Sequence, residues 1–411
     1  MIKLGIDFGT TNTTVSYVDH SGIVRPILGG KIRSALYFYP DGEDLLYGKD
    51  ALETSRYEDP ASEESGLVKD LKRKMKPDAG EYVYGKKMPY VQLIGTFLKK
   101  IKEDAETNVF HGEQIIDVCI THPVDYKPDR INLLKQAAKE AGFKNVSTLY
   151  EPVAAAYGAM DSMQKKEGYV FHEENFLIFD FGGGTLDLAY VESSRDRVTI
   201  PLQCVGDSHC GGEDIDNALY KLFDDRLFSM NQQHISDNAG EIDIKFRTFF
   251  CEHNKEILSK LLRPDNLNSR KPIQGIAKGK SIKIDVDYPL WMKLITPTLD
   301  KAMAAVEQMI TQVKANNRKI DRVILIGGSS SIPEVRTLLK ERFNLECYSF
   351  DEDRDVAVAN GAAIRAHYGE MPRKCFCINC GHELLSNQRK CPEPKCLTDN
   401  YFYDHAFDGQ S

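Results

Sequence analysis

What this chain does not contain narrows it first. Its 411 residues hold no GxxxxGK[ST] stretch, which excludes a single-loop phosphate cradle of the P-loop kind. No apolar run approaches membrane-spanning length, and the opening MIKLGIDFG enters a strand at once, so neither a transmembrane segment nor a signal peptide is expected. There is no basic excess either. Lys and Arg number 53 against 61 Asp and Glu, a formal net charge of −8, which argues against general nucleic-acid binding because that needs a basic surface. Five of the ten cysteines (Cys119, Cys204, Cys210, Cys251 and Cys347) are scattered through apolar or helical segments and read as reduced thiols, so a cytoplasmic protein is expected. What is present is ordinary for a globular chain: 42% hydrophobic and 28% charged residues, in a length sufficient for two or three cores.

The chain is organised around Leu177 to Val191, LIFDFGGGTLDLAYV. An apolar run leads to Asp180, then Gly182, Gly183 and Gly184, and a second apolar run carries the chain away. Consecutive glycines between two strands let backbone N–H groups approach oxygen atoms closely, and an acid beside such a cradle makes sense if Mg²⁺ lies between them. Taken alone, this stretch is equally compatible with a plain Gly-rich hairpin. A near copy at Leu4 to Val18, LGIDFGTTNTTVSYV, shifts the balance: two such hairpins predict two similar lobes, each offering an acid and small-residue backbone to the same phosphates.

Elsewhere the periodicity predicts a helical stripe through Val91, Ile94, Leu98, Ile101 and Ala105, and a short buried strand Val118 to Ile120 ending at Thr121-His122-Pro123. Helices are predicted at Asp129 to Ala141, from EPVAAAYGAM onward, through Leu227, at Ile244 to Leu262, and at about 297 to 315, 333 to 342 and 356 to 367. Residues 273 to 287 read as a hairpin and Arg322 to Ile326 as a strand running into Gly327-Gly328-Ser329. The pattern is α/β in two lobes, about 1–175 and 176–370, followed by a tail at 371–411.

The stretches IDFGTTN, LKRKM, EPVAAAYG, DFGGGTLD, GGEDID, CEHNKEILSK, LIGGSSSIP and AVANGAA resemble, in order, the nucleotide-binding domain of the heat-shock protein 70 chaperones, and span residues 2 to 368. GGEDID separates that family from actins and sugar kinases. The resemblance implies an actin-like fold with ribonuclease-H-like lobes that close over Mg-ATP and hydrolyse it slowly to ADP and phosphate. By the same resemblance, Gly9, Thr10, Thr11 and Asn12, with Gly182, Gly183, Gly184 and Thr185, engage the phosphates. Asp7 and Asp180 hold hydrated Mg²⁺, Glu151 and Asp187 complete the acidic set, and Lys72 is the catalytic lysine at the γ-phosphate. Without the resemblance, Lys72 is one surface lysine among several in KRKMK.

Gly211, Gly212, Glu213 and Asp214 belong to the matched nucleotide-binding set. Glu252, Lys255 and Ser259 stand three and four apart and share one helical face, which the resemblance makes adenosine-binding. Gly327, Gly328, Ser329 and Asp355 are matched to the same nucleoside. Two positions depart from the family: Glu256 and Ser331 stand where relatives carry arginines that sandwich the base, so adenine binding weaker than in full chaperones is expected. The resemblance implies a nucleotide-driven switch with a protein partner or client and no membrane. Nothing long enough for a peptide-binding domain follows His367, so the switch is expected to lack one of its own; the alternative is a module that holds nucleotide, barely hydrolyses it and docks through a zinc ribbon in the tail, and Lys72, Glu151, Asp180 and Thr185 favour the enzyme.

The tail instead carries MPRKCFCINCGHELLSNQRKCPEPKC. Cys377-x2-Cys380-Gly has zinc-knuckle spacing, and Cys391 and Cys396 supply a second pair, enough for a tetrahedral Zn²⁺ site in a module too small to fold without metal. Such ribbons bind protein, bind nucleic acid or cap a domain, and the residues do not choose. About one zinc per chain is predicted, and elemental analysis of freshly purified, reduced protein without a metal-affinity tag checks it. A zinc-free preparation would make the ribbon untenable.

Overall fold

The computed structural model describes residues 2–40, 44–55, 66–167, 174–193, 198–235, 250–263, 265–277, 280–349, 356–368, 375–376 and 383–384. Asp355 and the proposed zinc ligands Cys377, Cys380, Cys391 and Cys396 lie outside the described residues. Two compact units form: Met1–Glu174 with Val191–Pro201 and Phe350–Ser411, and Asn175–Tyr190 with Leu202–Ser349.

In the first unit the strand Lys3–Phe8 is the pivot of a mixed sheet. It pairs antiparallel with Asn12–Val18, in the register Asp7↔Thr14 and Phe8↔Thr13, and parallel with Asp117–His122 on its other side. Asn145–Tyr150 adds a further parallel strand and Val24–Pro26 a further antiparallel one. Leu4, Ile6, Phe8, Val15, Val118 and Ile120 alternate into a core closed by Leu93, Ile94, Phe97 and Ile101 of the helix Tyr90–Asp104. That helix follows the predicted stripe.

The second unit repeats the strand order. Glu174–Phe181 pairs with Leu186–Ser193 on one side and runs parallel to Arg322–Ile326 on the other, with Cys347–Ser349 parallel beyond it. The predicted hairpin is present as Arg270–Ala277 paired antiparallel with Lys280–Asp287. Among the described residues the helix expected at Ile244 to Leu262 runs from Glu252 to Leu261. The helix expected from about 297 starts earlier, at Tyr288, and continues to Ala315 with Pro297 inside it. A proline there forfeits one backbone bond, but Asp287 caps the start by accepting from the Leu290 N–H at 3.0 Å, and Trp291 and Ile295 are fully buried. Their burial is worth about 2–3 kcal/mol each and offsets the lost bond.

The helix Ala357–Tyr368, placed with the second lobe on sequence, packs in the first unit. It lies against the pivot strand, against the neighbouring strand Asn12–Val18, where Ser16 donates its hydroxyl to Asn360 Oδ1 at 2.7 Å, and against the helix Glu151–Glu167. Small residues make this possible. A Cβ on Gly5 would sit 2.0 Å from the Ala363 nitrogen, one on Gly158 2.1 Å from the Ala357 carbonyl oxygen, and one on Gly361 1.8 Å from that of Ala154. The alanines of EPVAAAYG thus allow the close approach that their size predicts. Gly361→Ala is expected to cost about 3 kcal/mol, since backbone rather than a yielding side chain blocks the new methyl. Urea unfolding of the variant against the parent chain measures it.

Candidate functional site

In the first unit the sheet delivers Asp7 at the end of its pivot strand, where Thr121, at the end of the neighbouring parallel strand, donates its hydroxyl to Asp7 Oδ1 at 2.9 Å. Gly9 follows in a turn so tight that a Cβ would meet the Asn12 carbonyl oxygen at 2.0 Å. Ser34 pins this turn, donating to the Gly9 carbonyl at 2.8 Å and sharing a 2.9 Å bond with the Thr13 hydroxyl.

Lys72 stands on the short helix Leu71–Lys74, not among the solvated lysines around it. Its Nζ donates to Glu151 Oε1 at 2.6 Å, with the two side chains only 12% and 13% exposed. Burial works against the ammonium, and the carboxylates of Glu151 and Asp7 more than reverse that, holding it above the ordinary lysine range. Burial likewise raises the Asp7 carboxyl, opposed by Lys72 and Thr121. Structure therefore brings Asp7, Lys72 and Glu151 into one charged cluster.

The second unit builds its cradle from Gly182 to Thr185, closed by the Gly182 N–H donating to the Thr185 carbonyl at 3.0 Å. Asp180 stands at the strand end before it. Two carbonyl oxygens of the loop are turned away from it: that of Gly182 accepts from the Gly212 N–H at 3.1 Å and from the Ser329 hydroxyl at 2.8 Å, and that of Gly183 from the Glu213 N–H at 2.6 Å. The helix Gly212–Asn231 therefore starts against the loop, its Gly211 N–H capped by Asp214 Oδ2 at 2.8 Å. Side chains have no room here. A Cβ on Gly211 would lie 2.6 Å from the Gly183 oxygen and one on Gly212 2.8 Å from Lys255 Nζ. Gly327, at φ 78°, would put one 2.7 Å from Asp180 Oδ1. Gly327 and Ser329 thus adjoin the acid and the cradle, while Asp187 is exposed on the second strand of the hairpin.

The residues expected to form the adenosine face lie on the helix Glu252–Leu261. Lys255 Nζ donates to Asp216 Oδ2 at 2.7 Å and to the Gly212 carbonyl at 3.1 Å, so it ties its helix to the cradle. Ser259 donates to the Glu256 carbonyl of its own helix at 3.0 Å, and Ser331 to the Gly328 carbonyl of its own turn at 2.6 Å. Glu256 is exposed.

Sequence reasoning passed over Thr121, Ser34 and Asp216. The first closes a strand whose end was noted, and the last lies inside GGEDID; nothing in the sequence marks Ser34. Two sheets with one strand order, each ending its central hairpin in Asp-Phe-Gly, define a mixed α/β fold that fits the actin-like ATPase architecture. The family model described as Hsp70 protein matches residues 54–372, and the chain belongs to that family. Relatives named chaperone protein DnaK share 27% identity in Thermotoga petrophila, 31% in Picrophilus torridus and 29% in Thermoplasma volcanium. Each alignment covers 88% of this chain and 59%, 57% and 57% of the respective relative, so the chain spans under two thirds of their length. No described helix is long and apolar enough to cross a membrane.

Burial lifts the Asp216 carboxyl to about 6 against the pull of Lys255, and its Oδ1 is buried without a hydrogen bond among the described residues. The folded value lies above the ordinary 3.8, so this group's contribution to stability is fully present below 3.8 and is lost as pH rises through about 6. Stability relative to Asp216→Asn should therefore fall on raising the pH across that window, by up to about 3 kcal/mol. Paired urea titrations at several pH values check the sign.

Proposed function

We propose that the chain binds ATP with Mg²⁺ and hydrolyses it slowly, serving as a nucleotide-driven switch for a protein partner. The observation that carries this is the cluster of Asp7, Lys72 and Glu151, where a nearly buried ammonium faces two carboxylates beside a turn with no room for a side chain. The residues fit the cofactor. The Asp7 carboxyl, raised by burial, is the group a hydrated divalent cation would stabilise as an anion, and Asp180 supplies the same chemistry in the second unit. Gly183, Gly184 and Thr185 offer amides to phosphate oxygens, while the Gly182 N–H closes the loop on the Thr185 carbonyl and the bonds from Gly212, Glu213 and Ser329 keep the Gly182 and Gly183 carbonyls engaged elsewhere.

When bound, Mg²⁺ neutralises phosphate charge and ATP supplies the transferable group. The chain's own work is positioning. Lys72 supplies a fixed positive charge for the γ-phosphate, and Glu151 fixes that charge in place. Zinc on Cys377, Cys380, Cys391 and Cys396 would add a docking piece.

Lys72→Ala should lower single-turnover hydrolysis about a hundredfold or more and leave ATP binding within about threefold, because the lysine acts on charge that develops in the reaction. Equal turnover in variant and parent would place catalysis elsewhere.

A further inference from the structure

Lys72 is held from two directions, and one histidine touches the supports of both. Its backbone carbonyl accepts from Arg130 Nη2 at 3.0 Å and from the Tyr126 hydroxyl at 3.3 Å, while the Arg130 guanidinium lies 3.9 Å above the Tyr126 ring. Its side chain is held by Glu151, which directly follows Tyr150 at the end of the strand Asn145–Tyr150. Between these supports lies His122, 4% exposed, at the end of the strand Asp117–His122. Its ring stacks on Tyr126, with centroids 6.0 Å apart and planes inclined by 13°. It meets Tyr150 edge-on at 5.0 Å and 74°.

The ring's orientation is also fixed. Nδ1 lies 2.9 Å from the Pro123 carbonyl oxygen, which can only accept, so Nδ1 carries the proton. A hydrogen bond and two ring contacts leave the imidazole no other place. We propose that His122 is a positioning residue, a clamped ring wedged between Tyr126 and Tyr150 that keeps Lys72 on Glu151. This rests on Lys72 as the lysine of phosphoryl transfer. His122 itself touches no reacting atom.

Its surroundings add a pH dependence with a definite sign. The charged groups acting on the ring are Lys72 from the helix Leu71–Lys74, Lys135 from the helix Pro128–Glu140 and Asp125 from the connection between, two cations against one acid. Burial holds the imidazole below its ordinary 6.5, with both lysines acting the same way and the Pro123 carbonyl and Asp125 opposing. Protonation on acidification therefore adds a further positive charge beside Lys72 and loosens the wedge.

The test uses the full chain. Accessibility of the Lys72 amine to an acylating reagent, N-acetoxysuccinimide, is read by mass spectrometry, together with single-turnover ATP hydrolysis. His122→Ala should increase Lys72 acylation about tenfold and lower kcat about tenfold with KM within about twofold, because the lysine is freed while nucleotide binding is kept. Lys102, which pairs with Glu106 at 2.7 Å in the same unit and is 15% exposed, should stay protected, which reports that this unit remains folded. His122→Phe, which keeps a ring but cannot titrate, should restore both readouts and, with Lys72 acylation normalised at each pH to that of the exposed Lys99 so that amine protonation cancels, should remove the relative rise expected of the parent chain as His122 gains its proton. Unchanged Lys72 acylation in a folded His122→Ala would overturn the proposal. So would the same acid-induced rise in His122→Phe, which decides the matter even if the alanine variant does not fold. Should the parent chain turn over ATP no faster than Lys72→Ala, the hydrolytic function fails, and the acylation readout still decides the role of His122.

Discussion

A lysine ammonium taken almost out of water keeps its charge only where carboxylates face it, and Lys72 meets that condition through Glu151 and Asp7. Removing either partner from a pair this buried costs about 3–5 kcal/mol, so the three positions constrain one another more tightly than any of them is constrained by its own backbone. They come from the end of the pivot strand, from a four-residue helix and from the first residue of a long helix. The fold of the first unit is what makes them neighbours. Asp7 stays the uneasy member, with burial outweighing the help of Lys72 and Thr121.

The other constraint is steric. In the first unit glycines let the helix Ala357–Tyr368 lie directly on the pivot strand and on the helix Glu151–Glu167. In the second they let the start of the helix Gly212–Asn231 reach the loop at Gly182 and Gly183. At Gly5, Gly158, Gly361 and Gly211 the contact is backbone against backbone. A methyl group cannot be accommodated by turning a side chain aside, so these positions are fixed by geometry before any ligand is considered. Lys255 shows how a residue with an expected ligand role also has a structural one, because its bonds to Asp216 and to the Gly212 carbonyl join two helices beside the cradle.

Much of this was legible in the residues. The hairpins, the strand at Arg322–Ile326 and the small-residue helix follow from periodicity and glycine placement, which are local properties. The duplicated Asp-Phe-Gly hairpin announced two sheets of one design. What was not legible is long-range. No local signal shows that the helix Ala357–Tyr368 returns to the first unit, or that Ser34 would pin the turn at Gly9. The early start of the helix Tyr288–Ala315 is tertiary in origin, since burial of Trp291 and Ile295 carries it through Pro297. Lys72 could not be told from Arg73 or Lys74 by composition, and only the fold shows which of the three faces Glu151.

On the proposed function, affinity for nucleotide resides in the phosphate contacts with little contributed by the base, a reading supported by Ser331 and Ser259 bonding to their own backbone and by the exposure of Glu256. The most direct test is titration calorimetry of the full chain with ATP and with adenosine, each with and without Mg²⁺. ATP is predicted to bind at least about a hundredfold more tightly than adenosine, with the difference shrinking when Mg²⁺ is removed. Equal affinities for ATP and adenosine, or no ATP binding with Mg²⁺ present, would contradict it.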